Sequence, residues 1–462
     1  MTPIITSVPI NRRRFVRVCG AGAIGTVLDA VLPSSAKAAG TDPVPPYALR
    51  FTTPDGRDPG HKLMIVYMQG GLSNFDTFDP KANSPFKKID TAADDIKFTE
   101  ILQALAKHAP NFVVINNLQS NEADHDRGAA LSLTSRRDIV GGGFYSPTVY
   151  KNPFVDFAEL LNRQTSGEVG YVVLHQSTAD EHGYNRDWRE PWGALKHNEP
   201  VTVYSPYNTN TGEFINRLNG SSVPLPVFRE RTKLLDALDS QGHVLVGDSV
   251  DRHNRAYRQA RSLIDGEFRD SYDLSKESPE IQEKYGKTKV GKQFLLARRM
   301  LEREARVVAL SDGNYDNHSG LKPDMESKIK NFAKALDAFI EDTKVRFDKK
   351  VFIAIITEFG RDPKFSNAGP NGPGRDHWSD AFGMVIICND KNEIAGGRTI
   401  GRTNNSGEIV GGNALSSSLV ADTMLSLLRI RRYETRGEVV TGVGFSYIDI
   451  IRGKAIARGE LR

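Results

Sequence analysis

The chain has 462 residues, 39% hydrophobic and 26% charged, proportions that exclude a disordered chain and a polytopic membrane protein. Its length suits one large domain with insertions, or two ordinary ones. The formal charge of +4 belongs to the first segment: residues 1–38 carry five basic side chains (Arg12, Arg13, Arg14, Arg17, Lys37) and one acid (Asp29), so the remainder is neutral. Nothing in that remainder asks for nucleic acid or an anionic membrane surface as partner.

The chain begins with Arg12-Arg13-Arg14-Phe15, the apolar run VCGAGAIGTVLDAVL and then Ala36-Lys37-Ala38. This is the layout of a twin-arginine export signal cleaved after Ala38. The apolar run is too short and glycine-rich for a firm membrane span; the alternative reading is a retained anchor or a basic leader. Export implies the twin-arginine machinery as a partner, a periplasmic or otherwise exported location, and no stable membrane span in the mature protein. Cys19 lies in the leader, so Cys388 stands alone in the mature chain and no intramolecular disulfide can form. Its apolar surroundings place Cys388 in a buried strand.

A proline-rich linker over residues 39–61 precedes a domain expected over 62–462. Short apolar runs follow: LMIVYM (63–68), FVVI (112–115), YVVL (171–174), RVVALS (306–311), VFIAIIT (351–357) and FGMVIIC (382–388). Each has the length of a strand buried on both faces. Between them lie TEILQALAKHA, PFVDFAELLNRQ, KQFLLARRMLERE, DMESKIKNFAKALDAFIED and SSLVADTMLSLLRI, with apolar residues at helical spacing. The alternation predicts an α/β fold, a mostly parallel doubly wound sheet with helices on both faces. Residues 177–225 are polar, aromatic and turn-rich, an insertion in which Trp188, Trp192, Tyr204 and Tyr207 either face a substrate or pack the insertion's own small core.

Ligands of parallel α/β sheets sit beyond the carboxyl ends of the strands, and those positions here are rich in metal-ligating residue types. Asp76 and Asp79 follow the first run, His125 the second, Asp316 and His318 the fourth, and Glu358 and Arg361 the fifth, with Asp376 and His377 in the loop after it. Carboxylates and imidazoles from several strand ends can converge on a divalent ion, whereas turn formation alone does not favour histidine. Gly70 and Gly71 fit a tight turn, either at a ligand or at a simple bend. Arg361 is suited to pairing an anionic substrate or to bracing Glu358. The stretch EADHDRGAALSLTS begins a helix for which Asp124 supplies the capping oxygen.

The segments GGLSNFDTFDPK, ITEFGR and GRDHW, with LLARRMLE before YDNH and GGRTIGRTNNSGE near the end, resemble the bacterial domain-of-unknown-function 1501 family from about Lys62 to Arg452. The resemblance implies an alkaline phosphatase and sulfatase type of fold, whose better-known relatives hydrolyse phosphate or sulfate esters with one or two metal ions. By the same resemblance His125 occupies the nucleophile slot at a helix N-terminus, where an anion is favoured. Asp316, His318, Glu358 and His377 take the places of metal ligands. Departures accompany it: Gln69-Gly70-Gly71 stands where relatives carry a first aspartate ligand, with Asp76 as a substitute, and Phe359 stands where a two-metal phosphatase has histidine.

Two functions follow as expectations. The first is an exported metal-dependent hydrolase acting on an anionic small-molecule or glycan ester of phosphate or sulfate, with zinc, manganese or calcium as the ion. In it His125 completes the metal set or acts as nucleophile or general acid/base, and Arg361, with Arg127 and Arg375, balances substrate charge. The second is a non-catalytic periplasmic binding or assembly protein on the same fold.

Overall fold

The computed structural model describes residues 47–134, 139–140, 149–150, 171–174, 202–204, 224–240, 261, 267–303, 305–312, 314–412, 414–434 and 451. The export signal, its cleavage site, most of the linker, the helix expected at PFVDFAELLNRQ, and the insertion apart from Thr202–Tyr204 and Pro224-Leu225 lie outside the described residues.

All six apolar runs form strands of one nine-stranded sheet. Its members are β1 (Lys62–Met68), β2 (Phe112–Gln119), β3 (Tyr171–Leu174), β4 (Thr202–Tyr204), β5 (Val307–Asp312), β6 (Val351–Ile356), β7 (Phe382–Cys388), β8 (Arg398–Ile400) and β9 (Leu415–Ser416). The spatial order is β8-β2-β7-β6-β1-β5-β3-β4, with β9 also paired to β2. Every pairing is parallel except those of β7, which runs antiparallel between β6 and β2. An apolar run carries no sign of its direction, and this reversal matters for the site: β7 begins at the edge where the other strands end.

Along β1 the side chains alternate between two cores, Met64, Val66 and Met68 on one face and Leu63, Ile65 and Tyr67 on the other. The first core is closed by the 3₁₀ segment Glu100–Asn111 and by two long helices, Lys289–Glu302 and Leu321–Arg346; the second is closed by α1 (His125–Thr134) and the helix Val420–Leu427. The three besides α1 are α2 (Lys289–Glu302), α3 (Leu321–Arg346) and α4 (Val420–Leu427), and the helices Leu225–Ser240 and Pro279–Tyr285 add Phe228 and Tyr285 to the first core. TEILQALAKHA winds as 3₁₀ rather than α-helix. SSLVADTMLSLLRI is helical only to Leu427, because Arg429 takes φ +62° and turns the chain into the strand Ile430–Glu434, which pairs with Tyr47–Phe51.

Cys388 ends β7 fully buried, and that burial pushes its thiol up to about 12, far from reactive thiolate. Among the described residues no helix is long and apolar enough to cross a membrane.

Candidate metal centre

Four strand ends and one strand start meet at a single edge of the sheet. β1 leads into Gln69-Gly70-Gly71, β2 into the loop before α1, β5 into Tyr315–His318, and β6 into Thr357–Arg361; His377 stands just before β7. Gly70 and Gly71 take φ +102° and +80°, and a methyl group on Gly70 would lie 2.5 Å from the backbone nitrogens of Tyr315 and Asp316. The glycines therefore serve a close approach to the neighbouring loop as well as a bend. At the start of α1 the Asp124 carboxylate accepts from Arg127 N at 3.0 Å, so Asp124 is the cap, and His125 opens the helix buried against the sheet edge.

Three imidazoles aim their Nε2 atoms at one carboxylate. Around Asp316 stand His125 Nε2 at 3.3 Å from Oδ2, His318 Nε2 at 3.0 Å from Oδ1 and His377 Nε2 at 3.1 Å from Oδ1. Each Nδ1 is held from behind: His125 by Glu358 Oε1 at 2.9 Å, His318 by Asp376 Oδ1 at 2.6 Å, and His377 by the Ala123 carbonyl at 2.7 Å. A carbonyl can only accept, so His377 Nδ1 carries a proton; in the other two rings Nδ1 is closer to its carboxylate (2.9 Å in His125, 2.6 Å in His318) than Nε2 is to Asp316 (3.3 and 3.0 Å), which favours the same arrangement. In the neutral forms His318 Nε2 and His377 Nε2 then turn lone pairs toward each other at 3.2 Å, with a carboxylate beside them. A cation among these atoms satisfies all of them at once, and outward-anchored imidazoles are the usual support of metal-binding histidines. The residues present thus fit a metal ion, with ligand atoms of His125, Asp316 and His377 all within 4.8 Å of one another.

The electrostatics agree with that arrangement. Burial alone would depress His125, but its hydrogen bonds to Asp316 and Glu358 and their charges overturn this and raise it to about 9. Burial works to raise Asp316 and Glu358, yet both carboxyls are held below their ordinary range, Asp316 by His125, His377 and Arg361, and Glu358 chiefly by His125. The site is layered: Glu358 is 1% exposed, His125 10%, His377 19% and His318 49%, so it opens on the His318 side.

Several expected residues stand elsewhere or act differently. Asp76 is fully buried and does not reach the cluster; its carboxylate takes Arg375 Nε at 2.7 Å, Arg375 Nη2 at 3.2 Å and Ser73 Oγ at 2.6 Å. Glu358 lies behind His125 instead of beside Asp316, with Oε1 also accepting from Gly70 N at 2.7 Å and Oε2 facing Thr357 Oγ1 at 3.1 Å. Arg361 is fully buried and braces Asp316, not Glu358, while its other donors serve the carbonyls of Gly70, Gly71 and Arg375. It presents no guanidinium face to a substrate. Arg375 is likewise committed, to Asp76, the carbonyls of Asp362 and Pro363, and the face of Phe365 at 4.1 Å. Arg127 is exposed and paired with Glu122 at 2.9 Å, and Asp79 pairs with Lys81 at 2.9 Å.

The anchoring by Asp376 and the Ala123 carbonyl leaves no mark in the sequence beyond the adjacency of Asp376 to His377. Phe359, fully buried, walls the site with ring centroids 4.9 Å from His125 and 4.4 Å from His377. A second histidine–carboxylate group, His108 with Asp337 and Glu341, already has cationic partners, because Lys107 binds both carboxylates at 2.9 and 2.6 Å and Lys284 lies 3.6 Å from Glu341. It ties the 3₁₀ segment to α3.

Residues 61–436 match the family model described as a protein of unknown function, DUF1501. The chain belongs to that family. No curated protein matches the sequence. Solved structures similar to this DUF1501 chain include alkaline phosphatase from the Antarctic bacterium TAB5, at 12% identity over 81% of this chain and 98% of that one, with a TM-score of 0.35. The soluble domain of lipooligosaccharide phosphoethanolamine transferase A from Neisseria meningitidis is similar at 10% identity, 90% and 99% coverage and a TM-score of 0.39. Phosphonate monoester hydrolase of Agrobacterium radiobacter is similar at 9%, with 87% and 78% coverage and a TM-score of 0.41.

Proposed function

We propose that the protein is an exported metal-dependent hydrolase of phosphate or sulfate esters, delivered by the twin-arginine leader expected over residues 1–38. The observation that carries the metal is the convergence of three outward-anchored imidazoles on Asp316 at the ligand-binding edge of a mostly parallel sheet. The ester class comes from the resemblance of the sequence motifs to the alkaline phosphatase and sulfatase enzymes.

His125, Asp316 and His377 would hold the ion, with His318 on the open side. Nitrogen-rich donors suit zinc better than manganese or calcium, which favour oxygen ligands. A bound divalent ion supplies Lewis acidity toward an ester oxygen and lowers the pKa of water. The chain's own residues do the rest: Arg361 fixes Asp316, Glu358 fixes His125, and Phe359 keeps water from the inner wall. His318, half exposed and backed by Asp376, stands where a substrate must enter.

The burial and full commitment of Arg361 and Arg375 favour a second reading, a binding or assembly protein without turnover, since neither arginine meets a substrate anion. One experiment separates the two. Purified protein is analysed for metal before and after reconstitution with zinc, manganese and calcium, then screened on generic phosphate and sulfate esters beside His125→Ala. Stoichiometric metal and turnover abolished by His125→Ala support the hydrolase. Metal without turnover favours the binding protein, and absence of metal in every preparation removes the hydrolase reading.

A further inference from the structure

From the hydrogen bonds around its carboxylate, we infer that Glu358 is a positioning residue that fixes His125 in the Nδ1–H tautomer and aims His125 Nε2 at the metal, instead of being a ligand itself. The inference deepens the reading above and rests on it for the identity of the ion's place, though not for the tautomer.

Both oxygens of the Glu358 carboxylate face groups other than Asp316. Oε1 accepts from His125 Nδ1 at 2.9 Å and from Gly70 N at 2.7 Å, and Oε2 faces Thr357 Oγ1 at 3.1 Å. Thr357 Oγ1 in turn reaches Met68 O at 2.8 Å and accepts from Leu72 N at 3.0 Å, which ties the group to the end of β1. The ring of His125 is closed on its other side by Phe359 and His377. With Nδ1 facing Glu358 and the ring walled in, Nε2 has one direction, toward Asp316. A carboxylate behind an imidazole also makes the far nitrogen a better donor to a metal, and loss of such partners costs 10–100-fold in metal affinity.

This geometry makes the glutamine substitution informative. Gly70 N–H needs an acceptor, so a glutamine at 358 is held with its oxygen toward Gly70 and His125 and its amide nitrogen toward Thr357 Oγ1. Shape and tautomer then persist while the charge is lost. Alanine removes both.

The test uses the full mature protein with labelled histidine. Proton–nitrogen correlation spectra of metal-free protein, above the pH at which His125 becomes neutral, report its tautomer, the signal being assigned by its loss in His125→Ala. Competition with a chelator gives zinc affinity. The expected tautomer is Nδ1–H in wild type and in Glu358→Gln, with a mixture in Glu358→Ala. Zinc affinity should fall about 10–100-fold in Glu358→Ala and less in Glu358→Gln. An Nε2–H tautomer in wild type overturns the inference, as does wild-type zinc affinity in Glu358→Ala. If Glu358→Ala does not fold, wild type and Glu358→Gln still decide it. If wild type binds no zinc yet shows the Nδ1–H tautomer, the metal-centre reading fails and Glu358 keeps its orienting role; the two failures are thus distinct.

Discussion

Replacing Asp76 by alanine asks whether that residue belongs to the metal set or to the frame beneath it. Asp76 and Arg375 are both fully buried, and the substitution leaves a guanidinium in the interior without its carboxylate. Breaking a buried pair from one side typically costs about 3–5 kcal/mol. Arg375 keeps the carbonyls of Asp362 and Pro363, so the lower end, about 3 kcal/mol, is the better expectation. At roughly 2.1 cal/mol/K of unfolding entropy per residue, a chain of this length loses about 1 °C per kcal/mol, giving a fall in Tm of about 3 °C. Calorimetry measures that fall, and elemental analysis of the same sample measures bound metal, which should stay at the wild-type ratio. Asp76→Ala with an unchanged Tm and lost metal would refute the argument and return Asp76 to the ligands.

Other outcomes follow from the same site. In metal-free protein His125 carries stability that is complete below its unfolded pKa of 6.5 and disappears as pH rises through about 9, a span worth roughly 3 kcal/mol. Denaturant melts at both ends of that window should converge in His125→Ala, and an unchanged slope would contradict the assignment. Asp316 and Glu358 act oppositely, their stability being present above the ordinary carboxylate range and lost in acid. Because a metal must displace the His125 proton, zinc affinity should climb with pH up to about 9; a flat profile by chelator competition would count against the site. Arg361→Ala, which takes the guanidinium from Asp316 and the donors from three carbonyls, should cost about 3–5 kcal/mol. Wild-type stability with only substrate affinity lost would mean that Arg361 faces the substrate after all. Gly70→Ala, meeting backbone nitrogen at 2.5 Å at φ +102°, should lower stability by about 1–3 kcal/mol, read as a shift in denaturant midpoint.

The strands were legible because apolar runs of strand length leave little else for the backbone to do, and Cys388 was readable for the same reason. The direction of β7 was not, since its sequence reads the same as a parallel strand's; it depends on where the chain re-enters the sheet. His125, Asp316, His318 and His377 stood out because their side chains are ligand types at strand ends. Which carboxylate faces the centre could not be read there. Glu358 and Asp76 have the same chemistry as Asp316, and only the third dimension puts Gly70 N–H and His125 on one and Arg375 on the other. Arg361 misleads in the same way, because a guanidinium reads as a substrate clamp until its carbonyl partners are known.

The reversed course of β7 has a consequence for how the family can vary. β6 and β7 are neighbours, and both meet the same edge, so residues 357–381 leave the sheet and return to it within one strand spacing. That excursion carries Glu358, Phe359, Arg361, Asp376 and His377. Provided Glu358, Arg361, Arg375, Asp376 and His377 keep their places, the turns between them can change length between two fixed, adjacent posts, reshaping the rim of the site while the hydrogen-bond ladder beneath it stays in register.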